Sequence, residues 1–162
     1  PVMEGIKNMI LQPQGAEAQV RKELLHQGWK LKDECLVEED SITYTILNFS
    51  QLEGYSRKDI ELKTNQLTGE LIASISPAGY DLSACNRDIQ GKILIQYIWQ
   101  LGPLLILNKN KQLVGIVEKI IEQKFGIITE MNNTDRFEIQ QKAKHLQVEI
   151  KTLEGLREWL FQ

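Results

Sequence analysis

"MILQPQGAEAQVRKELLHQGWKLKDECLVEED", residues 9–40, decides how this chain is to be read. Met9-Ile10-Leu11 is a short apolar run that Gln12-Pro13 ends, because proline cannot donate to a sheet ladder. Gly15-Ala16-Glu17 opens a helix with an acid in its first turn, where the helix dipole favours negative charge. Ala18, Val20, Leu24 and Leu25 recur at helical spacing, and Gly28 fits a C-cap. Trp29 and Leu31, then Cys35 and Val37, predict a second strand, with the alternation broken at Asp33-Glu34. Strand, helix and strand follow with almost nothing between them. That is one α/β unit with a charged tail, and a parallel sheet needs neighbours that the eight preceding residues do not supply.

Reading outward, Glu38-Glu39-Asp40-Ser41 is turn chemistry, and Ile42, Tyr44, Ile46 and Phe49 continue as a further strand. So short a connection predicts an antiparallel pair. Between residues 50 and 96, the strand-like patches Ile60 to Lys63 and Leu71 to Ile75 are separated by glycine, asparagine and proline, which predicts a small β-rich insertion. From Gly102 onward two helices are predicted around Asn132-Asn133-Thr134-Asp135. Leu113, Val117, Ile120, Ile127 and Met131 keep a three-four spacing that Lys124 interrupts. Ile139, Ala143, Leu146, Ile150, Leu153, Leu156 and Leu160 form the second seam. Seams joined by a brief polar loop pack as an antiparallel, coiled-coil-like helical hairpin. Gly115 and Gly126 each weaken the first helix by about 1 kcal/mol relative to alanine. The expected organisation is residues 1–49 as the closing sheet portion, 50–101 as an insertion or linker, and 102–162 as the hairpin.

The 162 residues are 42% hydrophobic and 25% charged, ordinary for a globular chain with a real core. A net charge of −3 gives no global basic field, so any nucleic-acid contact must come from a local face. Cys35 and Cys85 lack metal or redox spacing and read as reduced, partly buried thiols, with a cytoplasmic location expected. No apolar run approaches the ~18 residues of a spanning helix, so no membrane is expected.

Two blocks resemble the TrmK-like family of bacterial tRNA adenine methyltransferases. "ILQPQGAEAQVRKELLHQGWKLKDECLVEEDSITYTIL" is similar to the family's LILQP strand end, its following helix, and its G-W/Y-x-L-x-D-E-x-L-V-E-E-D hairpin. "LGPLLILNKNKQLV" is similar to the L-G-P-x-L-x-x-K-N stretch before a C-terminal helical hairpin. The blocks stand in the right order and cover about two thirds of the chain. The resemblance implies an α/β chain: a partial Rossmann-like methyltransferase sheet (strand, helix, antiparallel strand pair) followed by an α-helical hairpin associated with tRNA. It also implies S-adenosylmethionine as cofactor. The family's cofactor-binding glycine loop, ribose-holding acid and A-G-M-G-G-like turn precede LILQP, however. Upstream of Leu11 this sequence offers only "MEGIKN", which cannot cradle a cofactor. Position 14 is Gln14 where the family commonly has asparagine, and the segment before Gly102 is longer than the family needs.

Gln12, Pro13 and Gln14 fall at the carboxyl end of a strand, where open α/β sheets bind ligands, and form the candidate substrate-pocket wall; a plain strand-ending turn is the bland alternative. Lys109, Lys111, Lys142, Lys144 and Lys151 are the candidate RNA-binding residues, with Lys119, Arg136 and Arg157 nearby; interspersed glutamates make an ordinary charged helix surface the alternative. Asp33, Glu34, Glu38, Glu39 and Asp40 read as a solvated hairpin. His26 and His145 lack ligand-spaced partners, so no metal site is expected and no catalytic residue is assigned. Trp99, Trp159 and Tyr97 read as core. The expected function is the C-terminal portion of a tRNA adenine methyltransferase, partnered by tRNA and by a separate cofactor-binding half or a second copy. The alternative is a stand-alone, non-catalytic interaction protein in which residues 50–96 replace the missing sheet neighbours.

Overall fold

The computed structural model describes residues 5–75, 84–131 and 137–162. The predicted Asn132–Asp135 loop, Arg136 and the side chain of Cys85 lie outside the described residues. In chain order the elements are β1 (Asn8–Leu11), α1 (Glu17–His26), β2 (Lys30–Glu39), β3 (Ile42–Ser50), α2 (Arg57–Ile75), α3 (Ala84–Leu101), α4 (Pro103–Leu107), α5 (Gln112–Met131) and α6 (Phe137–Phe161). Contacts divide the chain into two compact units, residues 1–66 with 97–108, and residues 67–96 with 109–162.

The first unit is built on a sheet of order β1-β3-β2. β3 runs antiparallel to both neighbours, so β1 and β2 are parallel to each other and α1 is the crossover between them. The β2–β3 connection is the two-residue turn Asp40-Ser41 at φ 50 and 64, the left-handed pair that matches the sheet's twist. Register places Met9, Phe49 and Leu31 in one row and Leu11, Leu47 and Glu34 in the next. Leu31, Leu47 and Phe49 are fully buried on this face, with Leu25 of α1 and with Leu104, Leu105 and Ile106 of α4 also in the core.

A register shift between Leu31 and Asp33 doubles the residues on β2 and turns its alternation over. Cys35 and Val37, expected to continue the inward set, are therefore exposed, and Glu34 and Leu36 take the core positions. A slip of one residue flips every later side chain to the other face. Cys35 is accordingly an exposed thiol, not a partly buried one.

Residues 51–55 fold back along the outer edge of β2. Leu31 and Tyr55 exchange both backbone hydrogen bonds at 2.9 Å, Lys30 donates to the Leu52 carbonyl at 3.0 Å, and Lys32 pairs with Glu53 at 2.9 Å. Gly54 makes the approach feasible. Its φ is +110, and a Cβ there would lie 2.7 Å from the Leu31 carbonyl oxygen. Along β1, nothing among the described residues pairs with the outer edge.

The predicted β-rich insertion is helical instead: both strand-like patches lie in α2. Ser56 and Asp59 cap its first turn reciprocally, Ser56 N donating to Asp59 Oδ2 at 2.8 Å and Asp59 N to Ser56 Oγ at 3.3 Å. Ile60, Thr64, Leu67 and Leu71, all buried, then recur at four, three and four residues. Read in patches of four or five residues, that period is invisible.

The second unit contains the predicted helix pair. Lys111 reaches Leu160 and Phe161, Glu118 faces Arg157, and Lys124 pairs with Glu149 at 2.8 Å, so α5 and α6 run antiparallel. Leu113 and Val117 are buried as expected, but the seam continues through Ile121 and Ile128 rather than Ile120 and Ile127. The ion-paired Lys124 occupies one seam position, and Ile127 is left exposed. In α6, Ala143, Ile150, Leu153, Leu156 and Leu160 are buried, while Ile139 and Leu146 are half-buried. Among the described residues, no helix is long and apolar enough to cross a membrane.

Candidate functional site

Gln12, Pro13 and Gln14 follow β1 at its carboxyl end, with the antiparallel β3 separating β1 from β2. Gln12 and Gln14 are exposed and Pro13 is half-buried. The ladder between β1 and β3 ends at the Leu11–Leu47 pair, while β3 reaches back to Ile42 with β2 as its partner. Among the described residues, the step leaves Tyr44, Thr45 and Ile46 on a strand edge with one side unpaired, at the level where Gln12 departs. Two carboxamides, each a donor and an acceptor, therefore stand at a notch in the sheet. Glu17 is already engaged, its Oε1 accepting from Gly15 N at 3.1 Å. These residues do not by themselves fit a nucleoside cofactor: the described chain brings neither a glycine-rich turn nor an uncommitted acid to the notch, and it can form one wall only.

A buried charge cluster joins α1, β2 and the α3–α4 connection. The side chains of Arg21 on α1 and Glu34 on β2 are 0% exposed and hydrogen-bonded through Arg21 Nε and Glu34 Oε1. Arg21 Nη1 donates to the Trp99 carbonyl at 2.9 Å and the Gln100 carbonyl at 3.4 Å, near the end of α3. Glu34 Oε2 accepts from Leu104 N at 2.7 Å, in the first turn of α4. A cation thus meets terminal carbonyls and an anion meets an initial amide, each matched to the dipole of its helix end. Gly102 joins the two helices at φ +116, and a Cβ there would come within 3.2 Å of both Arg21 Nη2 and Glu34 Oε1. The stretch Leu101-Gly102-Pro103 and the acid of the first block, far apart in sequence, form one structure. Sequence reasoning placed Glu34 on a solvated hairpin and passed over Arg21. The available signal was Arg21 one turn before Leu25, on the same helix face as that core leucine.

The remaining acids, Asp33, Glu38, Glu39 and Asp40, are exposed. Among the described residues there is no group of three or more His, Cys, Asp or Glu suited to a metal ion. His26 is exposed, its Nδ1 3.0 Å from Arg57 Nη1. Trp99 and Tyr97 are core, as expected.

The five candidate lysines divide into two groups. Lys109 lies with its Nζ 4.4 Å from the centre of the Trp159 ring, and Lys111 donates to the carbonyls of Leu160 at 3.2 Å and Phe161 at 2.9 Å. Both are bound to the end of α6, where a cation answers the helix dipole. Lys142, Lys144 and Lys151 stand exposed on α6. Lys144 and Lys151, seven residues apart, share a helix face.

Residues 2–74 match a protein-family model described as TrmK: tRNA (adenine(22)-N(1))-methyltransferase. Compared with curated proteins, the chain has no significant match. Among solved structures it is similar to the Bacillus subtilis m1A22 tRNA methyltransferase TrmK, with TM-score 0.57 and 19% identity over 94% of this chain and 52% of that one. An uncharacterised protein from Listeria monocytogenes serotype 4b gives TM-score 0.56 and 19% identity over 94% and 51%. The chain therefore spans about half the length of the solved structures it matches. The family it resembles, in sequence over residues 2–74 and in fold over nearly all its length, is that of the TrmK tRNA methyltransferases.

Proposed function

We propose that this chain is the C-terminal portion of an S-adenosylmethionine-dependent tRNA adenine methyltransferase, supplying one wall of the target-base pocket and the helices that grip tRNA. The observation that carries the reading is the sheet: β1 and β2 are parallel, and the outer edge of β1 is unpaired among the described residues. Such an edge suits a cofactor-binding half that adds strands beyond it. The alternative, a non-catalytic interaction protein, drew its support from residues 50–96 as substitute sheet neighbours. Residues 51–55 lie along β2 and the rest of that segment, where described, is helical, which favours the enzymatic reading.

Methylation of a ring nitrogen needs the base out of its stack and held in line with the donor. S-adenosylmethionine supplies the methyl group when bound. Gln12 and Gln14 hold the base edge through their carboxamides, with Pro13 fixing the backbone between them. Lys142, Lys144 and Lys151 meet phosphates, while Lys109 and Lys111 set the end of α6.

The test is to purify the endogenous polypeptide with an antibody to residues 103–162, weigh it intact, and incubate it with unmodified tRNA and S-adenosylmethionine. A mass well above the 18.7 kDa of this chain, with 1-methyladenosine formed, is expected. An intact mass near 18.7 kDa with no methylated product overturns the reading.

A further inference from the structure

We propose that the cleft between the start of α5 and the end of α6 receives one unpaired nucleobase of an RNA, stacked on Phe161. The proposal rests on the RNA-binding reading above and names the contact at this end of the hairpin. The cleft has a volume of about 380 Å³ and is lined by Val114, Glu118, Arg157, Glu158, Phe161 and Gln162. That space suits a single nucleoside and is too small for a duplex. Phe161 is 75% exposed, a large uncovered ring for a residue type usually buried. A base stacks on such a ring whatever its identity.

The polar lining decides which part of a nucleotide enters. Glu118 and Glu158 contribute two carboxylates against the one guanidinium of Arg157, which disfavours a phosphate. Base edges, in contrast, carry both donors and acceptors. Amino groups can donate to the carboxylates, while Arg157 and Gln162 donate to ring nitrogens and carbonyls. Arg157 Nη1 lies 4.0 Å from Glu118 Oε1, the outer limit of an ion pair, so its donors remain open to an incoming acceptor. The base therefore enters and its phosphate stays outside.

Lys111 has a definite part in this arrangement. By binding the Leu160 and Phe161 carbonyls it fixes the last turn that presents the ring, and its Nζ sits 5.7 Å from the ring centre. Lysine 111 is then a positioning residue for the cleft, and not a phosphate ligand.

The experiment irradiates the full chain bound to tRNA carrying 4-thiouridine or 8-azidoadenosine, followed by trypsin and mass spectrometry. Cleavage after Arg157 isolates Glu158–Gln162, and the expected adduct lies on that peptide. Phe161→Ala should weaken tRNA binding about tenfold, and Phe161→Trp should retain it. The ring is exposed, so neither change threatens folding. Adducts confined to other peptides, with Phe161→Ala binding as tightly as the parent, reject the cleft as a base site. The loss from Lys144→Ala and Lys151→Ala would in that case still uphold RNA binding. No tRNA binding by the parent chain rejects both readings.

Discussion

Along β2, residues 51–55 double back and close the outer edge with a pair of backbone hydrogen bonds, two lysine contacts and a glycine pressed against the strand. Along β1, four residues run with their outer edge unpaired among the described residues, and Ile10 is 72% exposed. Edge strands invite association, and proteins usually protect them with bulges, charges or covering loops. β2 has all three protections: the register shift at Leu31/Asp33, the lysines and the covering segment. Among the described residues β1 shows none of them, so the two edges of the sheet differ.

The largest effect is expected under β2. Glu34→Ala leaves Arg21 charged and unpaired in the interior and strips Leu104 N of its acceptor. Breaking one partner of a buried pair costs about 3–5 kcal/mol, measurable as a lower urea midpoint. Replacing both partners, Arg21→Met with Glu34→Leu, should recover much of that loss. A double variant no more stable than Glu34→Ala would show that the cluster's value lies in capping the helix ends, not in avoiding a lone charge.

Gly54→Ala comes next. The φ of +110 and a Cβ 2.7 Å from the Leu31 carbonyl oblige backbone to move, at a cost of about 1–3 kcal/mol. The Leu31 and Tyr55 amides should then lose hydrogen-exchange protection. Gly102→Ala belongs to the same class, with its Cβ directed at Leu105, Arg21 and Glu34. If Gly54→Ala leaves both amides protected, the closing of the β2 edge does not depend on the close approach.

How much of this contrast could be read from residues alone follows from the range of each interaction. The strand ending at Gln12-Pro13, the helix from Glu17 and the Asp40-Ser41 turn are local, and the sequence displays them within a few positions. The bulge was visible only as a disturbance at Asp33-Glu34. Its consequence, that Glu34 turns inward and Cys35 outward, depends on a partner strand that local pattern does not specify. α2 was missed for a different reason: Thr64 occupies a core position between Ile60 and Leu67, and an apolar-only template skips it. Gln12 follows the end of β1, where Pro13 signals a strand stop, but the step in the sheet beside it depends on the lengths of β2 and β3. The Arg21–Glu34–Gly102 cluster joins positions separated by up to 81 residues, and no spacing rule reaches that far.

On the open side, Ile10→Lys should change the stability of this chain by less than about 0.5 kcal/mol, as expected for an exposed side chain. The same change should impair any polypeptide in which further strands pair beyond β1. Amide exchange sharpens the point. Gln51 N donates to the Lys7 carbonyl, so in an antiparallel ladder Met9 and Leu11 point toward β3 while Asn8 and Ile10 point outward. Asn8 and Ile10 should exchange much faster than Met9 and Leu11. Comparable protection at all four would mean that the edge is covered, and the contrast between the two sides would collapse.

The smallest effect concerns the anchor of the covering segment, where α2 begins two residues after Tyr55. The hydrogen bonds from Ser56, side chain first and backbone second, hold the Asp59 carboxyl below its ordinary value of 3.8. A carboxyl depressed in the folded state adds stability that is fully present above the unfolded value and is lost as pH falls through the folded one. Acidification below about 3.8 should therefore loosen the first turn of α2 before it disturbs the sheet. Ser56→Ala should bring the Asp59 titration back toward 3.8, read from its carboxyl carbon by NMR, with the Tyr55 amide exchanging faster in step. An Asp59 titration that Ser56→Ala does not move would sever the cap from the segment it is thought to hold. The closed edge of β2 would then rest on the Leu31–Tyr55 hydrogen bonds, Gly54 and the two lysines.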